Sequence, residues 1–162
     1  MPTRAAVQKL ESRSDELIGR LASRLHETWR LTKIRPNGTY KPRPKPTEDP
    51  EWIARHGTNQ ADISNTPFEE LPRDLQWDNQ ESARVAVELV LSELRAGRDP
   101  GRHDFIEEAS SKIHDEWLIR NRRTATDEQQ TSYADLPEEQ KQLDRDVFHA
   151  GLNLIAEELR GK

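Results

Sequence analysis

Leu25-His26-Glu27-Thr28-Trp29 returns 88 positions later as Ile113-His114-Asp115-Glu116-Trp117. In each copy a histidine and a tryptophan stand three residues apart, the spacing that places two side chains on one face of an α-helix. Around the first copy, Ile18, Leu21, Ala22, Leu25 and Trp29 keep the rhythm of a buried helical stripe, which predicts a helix over Ser14 to Leu31. Around the second, Ile106, Ala109, Ile113 and Trp117 do the same, with Asp104 expected as the N-cap.

A further block repeats at an offset of 65: Phe68-Glu69-Glu70-Leu71-Pro72 aligns on Tyr133-Ala134-Asp135-Leu136-Pro137, Asn79 on Asp144, and Leu89-Val90 on Leu154-Ile155. Each half therefore reads helix, loop, aromatic-x-x-Leu-Pro, helix. The 23-residue difference between the two offsets is the extra length of the first connection. Leu71-Pro72 is expected to open a short helix, and Asn79 a long one with Ala83, Ala86, Val87, Val90 and Leu94 buried and Gly97 as its stop. Leu136-Pro137 opens the last helix, with Leu143, Val147, Ala150, Leu154 and Ile155 as its stripe. Two helices bury little on their own, so the halves are expected to pack as one unit about a pseudo-twofold axis. The fold class is mostly α with minor β structure in the long loop. Its divisions are a polar extension over 1–13, a first repeat over 14–97 with a Pro-rich insert at about 32–66, and a second repeat over 98–162.

Composition narrows the function. Hydrophobic residues make up 32% of the 162-residue chain and charged residues 34%, so a core forms only if the apolar residues sit on ordered stripes. Cysteine is absent, which removes thiol catalysis and cysteine zinc ligands. The N-terminal residues have no apolar signal core and no apolar run reaches membrane-spanning length, so a soluble cytoplasmic protein with no membrane partner is expected. A net charge of −5 argues against a general nucleic-acid binder, because phosphate contacts need a basic face.

The insert opposes that charge. Arg30, Lys33, Arg35, Lys41, Arg43 and Lys45 precede the first acid at Glu48, with Tyr40 among them, and seven of the ten prolines lie between Pro36 and Pro72. Asn37-Gly38 is a hairpin signal, and Pro42, Pro44 and Pro46 favour an extended path. A surface for a phosphate-bearing ligand, an acidic protein partner or nucleic acid is one reading of this segment, and a solvated, proline-stiffened loop is the other. Trp52 is expected to fold back onto the domain or over a cleft, since an exposed indole is poorly tolerated.

The ordered set His-x-x-Trp, variable loop, aromatic-x-x-Leu-Pro, then an amide or acid seven positions after the proline, occurring twice between about Leu17 and Leu159, resembles the RyR repeat. That repeat occurs in tandem pairs in the cytoplasmic part of ryanodine receptor calcium channels and in small bacterial and phage proteins. The resemblance implies a compact helical unit with no channel pore, and a binding site for a nucleotide-like small molecule used in sensing or sequestration. Carried over by position, the site takes His26, Trp29 and Asn79 from one half and His114, Trp117 and Asp144 from the other. The channel pattern also places a basic residue one turn after the tryptophan; Lys33 fills that place, whereas the second half has Asn121 there, flanked by Arg120 and Arg122.

Residue chemistry supports two readings of this constellation. Two His-Trp faces across a pseudo-twofold form a cleft for a flat base, with Lys33, Arg120 and Arg122 meeting phosphate and Asn79 or Asp144 reading a base edge or ribose hydroxyl. Alternatively both indoles complete the core and each histidine ties a helix to a loop. No metal-ligand spacing, Walker loop, dinucleotide glycine motif or nucleophile elbow is present, so neither a cofactor nor a metal is expected and the chain reads as non-enzymatic.

Overall fold

The computed structural model describes residues 1–161. They are mostly helical: α1 Arg4–Ser12, α2 Ser14–Leu31, α3 Pro50–His56, α4 Arg73–Arg95, α5 His103–Asn121 and α6 Glu138–Leu159, with short strands β1 Pro44–Pro46 and β2 Gln60–Asp62. None of these helices is long and apolar enough to cross a membrane. Contacts divide the chain into two compact units, Met1–Leu21 with Ser82–Lys162 and Ala22–Glu81. This division does not follow the repeat boundary at 97/98, because it falls inside α2 and α4.

Several expected boundaries move, each for a local reason. The short and long helices expected around Pro72 and Asn79 are one helix, α4, since no glycine or proline interrupts 73–95. Asp104 lies in the first turn of α5, whose N-cap position is Arg102. Residues 1–13 hold a helix of their own, opened by Thr3, whose hydroxyl accepts the Ala6 N–H. Gly97, at φ +74°, ends α4 as expected.

The larger unit is a layered helical core. Leu17, Leu21, Ala83, Val87, Phe148 and Leu154 are all fully buried, and Phe105 meets Phe148 edge-on at 5.7 Å. On α6 the buried stripe is Phe148, Gly151, Leu154 and Ile155, whereas Leu143 is 53% exposed. The stripe thus differs in phase from the expected one near its start, because Phe148 rather than Leu143 turns into the core. An added Cβ on Gly151 would lie 3.2 Å from the Ala86 Cβ and 3.6 Å from a Leu21 methyl. Ala86 and Gly151 stand 65 positions apart, the same offset as Phe68 and Tyr133. Ion pairs rim the core: Glu158 takes Arg13 and Arg20, and the buried Glu93 takes Arg98 and Arg102.

The smaller unit is built by the insert around Trp52, Ala61 and Leu75, with Ile53 and Ile63 against them. Trp52 is buried, as the sequence requires of an indole in this setting. Strands β1 and β2 pair antiparallel with Lys45 opposite Ala61. The flanking bonds run from the Thr47 N–H to the Asn59 carbonyl and from the Ile63 N–H to the Arg43 carbonyl. Pro44 and Pro46 therefore occupy the non-hydrogen-bonding positions, where a missing N–H costs no ladder bond. Asp49 caps two helices at once: one oxygen accepts the Glu51 and Trp52 N–H groups and the other accepts the Arg73 N–H. Asp74 returns the contact, accepting the Thr47 hydroxyl and the Glu48 N–H.

Gly151→Val, which forces side-chain atoms into the Ala86 contact, is expected to lower unfolding free energy by about 1–3 kcal/mol. Gly19→Ala, with nothing within 4 Å of its added Cβ, is expected to raise it by roughly 0.5–1 kcal/mol. Urea denaturation of the two variants checks both signs.

Candidate functional site

The nine residues marked by the sequence fall in two groups. His26, Trp29, Lys33 and Asn79 belong to the smaller unit, and His114, Trp117, Arg120, Arg122 and Asp144 to the larger.

In the first group, His26 is 4% exposed and its Nε2 lies 2.8 Å from the Thr66 carbonyl oxygen. A carbonyl only accepts, so Nε2 carries the hydrogen. Burial pushes the His26 pKa down, which keeps the ring neutral. The imidazole stacks on the half-buried Trp29 indole at 5.9 Å and 23°. Lys33, one turn further along, places Nζ 5.4 Å from the same indole. Asn79 is half-buried, and its side-chain amide donates a long bond to the Leu75 carbonyl of its own helix.

Helix α2 also grips the loop in two ways that sequence reasoning missed. Glu27 accepts the Phe68 N–H with one carboxylate oxygen and Arg30 Nη1 with the other. Arg30 Nε donates to the Ser64 carbonyl, and its guanidinium lies 4.8 Å from the Tyr40 ring centre. The only available signal was helical spacing, which places Arg30 one turn after His26; its acceptor at Ser64 could not be read from that.

The second group repeats the first bond. His114 is 3% exposed, and its Nε2 donates to the Thr131 carbonyl at 2.9 Å. Thr66 and Thr131 are themselves counterparts at the offset of 65. His114 stacks on Trp117 at 6.3 Å and 22°. Beyond the indole the halves part. Asn121, at the position equivalent to Lys33, is buried and donates to the Trp117 carbonyl, so it closes the helix end rather than facing a ligand. Arg120 donates to the Ser82 hydroxyl, and Arg122 follows the helix as an exposed residue. Phe68 and Tyr133, the expected loop anchors, are both buried, and the Tyr133 hydroxyl donates to Glu107, which also takes a two-pronged contact from Arg145.

Asp144 differs in kind from Asn79. Its carboxylate stands 3.4 Å from His114 Nδ1 with 14% of the side chain exposed. Burial pushes its pKa up to about 7, against the pull of His114 and with a push from Asp115. A shallow groove of about 520 Å³ bordered by Leu10, Arg13, Glu158 and Leu159 holds none of these residues. No family profile, curated protein or solved structure matches the chain.

Replacing Asp144 with asparagine gives the second half the residue type of the first and removes the titration. The native carboxyl binds its proton more tightly than the unfolded one, so the wild type loses stability as pH rises from about 4 to 7. Asp144→Asn is expected to gain on the wild type across that window and to hold the difference above it. Urea midpoints at pH 5 and pH 8 check this; an unchanged difference would mean that Asp144 does not titrate within this window.

Proposed function

We propose that this chain is a tandem RyR-like helical protein that binds a small, nucleotide-derived anion without turning it over, for sensing or sequestration. The observation that carries the reading is Trp29: a half-buried indole, braced by a neutral imidazole and accompanied by a lysine four positions on. A cation over an exposed ring contributes about 0.5–1 kcal/mol. A nucleobase stacked on it contributes roughly 1–3 kcal/mol, and the displaced ammonium then gains a phosphate. The exchange favours the ligand. In the second half the position of Lys33 holds Asn121, which is turned into the helix end, so one ligand per chain is the expected stoichiometry. The repeated His-to-carbonyl bond and the Ala86–Gly151 approach support two halves related by a pseudo-twofold axis.

A second reading, a protein-interaction module that docks an acidic partner, is favoured by the charge left on the insert. Of its six cations, Arg30 pairs with Glu27 and Lys45 lies 4.0 Å from Asp78. Among the described residues, Lys33, Arg35, Lys41 and Arg43 make no ion pair.

Thermal shift against a nucleotide panel tests the first reading, because a ligand of the folded state raises the melting temperature. For the best ligand, Trp29→Ala is expected to weaken binding about 5- to 150-fold, the equivalent of the stacking energy. Lys33→Ala is expected to weaken it less, and Arg122→Ala not at all. A panel with no shift sinks the ligand reading; a shift that ignores Lys33 and Trp29 sinks the site.

A further inference from the structure

The segment after α2 folds as a two-faced ribbon. The Arg35 N–H donates to the Thr39 carbonyl and the Lys41 N–H to the Lys33 carbonyl, each at 2.7 Å, and Ile34 bridges Tyr40. Gly38, at φ +85°, makes the turn, and the Asn37 side-chain oxygen accepts both the N–H and the hydroxyl of Thr39. Strand alternation then sets Ile34 and Tyr40 on one face and Lys33, Arg35 and Lys41 on the other, with Arg43 two residues further along the same edge. Pro36 and Pro42 restrict the backbone on either side.

The basic face is arranged against itself. Lys33 and Lys41 stand opposite each other across the ribbon, and like charges so placed destabilise a strand pair. Elsewhere in this acidic chain Arg13, Arg20, Arg95, Arg98 and Arg145 each reach a glutamate. The hairpin cations are held in a fixed backbone with no carboxylate of their own, so an incoming anion relieves repulsion and finds the charges already ordered. Successive cations on one edge, Lys33 to Arg35 and Lys41 to Arg43, are separated by two strand residues, roughly 7 Å. That is also the step between same-side side chains of an extended peptide.

We propose that this face docks an extended acidic protein segment carrying carboxylates at alternate positions. The inference rests on the interaction reading above. A short peptide fits better than a nucleic acid, because the net charge of −5 repels a long polyanion beyond the reach of the hairpin.

Fluorescence anisotropy on the full chain tests it with three probes of equal charge: a labelled peptide with glutamate at alternate positions, the same composition with its glutamates contiguous, and an oligothymidylate. The alternating peptide is expected to bind tightest and to weaken with salt. Arg35→Ala/Lys41→Ala/Arg43→Ala, which spares Trp29 and Lys33, is expected to weaken it about tenfold or more while leaving any nucleotide thermal shift in place. If that variant melts early, Lys41→Ala alone serves, with a loss of about threefold expected. Equal binding of the two peptides overturns the alternate spacing and keeps the basic docking face. Tighter binding of the oligothymidylate overturns the protein partner, and no binding of either peptide overturns both this inference and the interaction reading.

Discussion

A buried imidazole that donates to a threonine carbonyl occurs twice in this chain, and the loop of each half hangs on it. His26 and His114 sit on helices, Thr66 and Thr131 in the strands of loop just before the buried aromatic turn. Each bond satisfies a backbone acceptor at a place where no regular ladder reaches it. Burial disfavours a charged ring at His26, and in both pairs the carbonyl commits Nε2 as the donor. What remains free to vary is the other side of the ring, and there the halves differ: one has an asparagine at the aligned position, the other a carboxyl group 3.4 Å from Nδ1.

Much of the fold could be read from apolar spacing. The α2 bounds, the buried stripe of α4 and the Gly97 stop all follow from periodicity and backbone freedom. The failures have physical causes. Asn79 looked like a helix start, but nothing between Arg73 and Asn79 prevents the chain from already being helical. Leu143 entered the α6 stripe on hydrophobicity alone, although one turn later Phe148 and Gly151 define a different buried direction.

The site was legible where spacing decides contact and illegible where distant chain does. Trp29 with His26 follows from i−3 spacing on one helix, and Lys33, four positions on, lies in the turn just past its end. The grip of Arg30 on the Ser64 carbonyl joins residues 34 apart, and no local rule predicts it. Asn121 shows the same limit in reverse: its position invited comparison with Lys33, but a short amide at a helix end bonds the preceding turn instead. The two histidine helices thus share one bond to a loop carbonyl and differ beyond it: Lys33 lies over Trp29, whereas Asn121 bonds the Trp117 carbonyl.

The prolines of β1 have a bearing on solubility. In an antiparallel strand the residues that do not face the partner point their backbone groups outward, and on β1 those residues are Pro44 and Pro46. The outer edge of this strand therefore offers carbonyls and no N–H donors at either position. A strand from another molecule finds no complete set of bonds there, so the long, charged insert carries its own barrier against edge-to-edge aggregation.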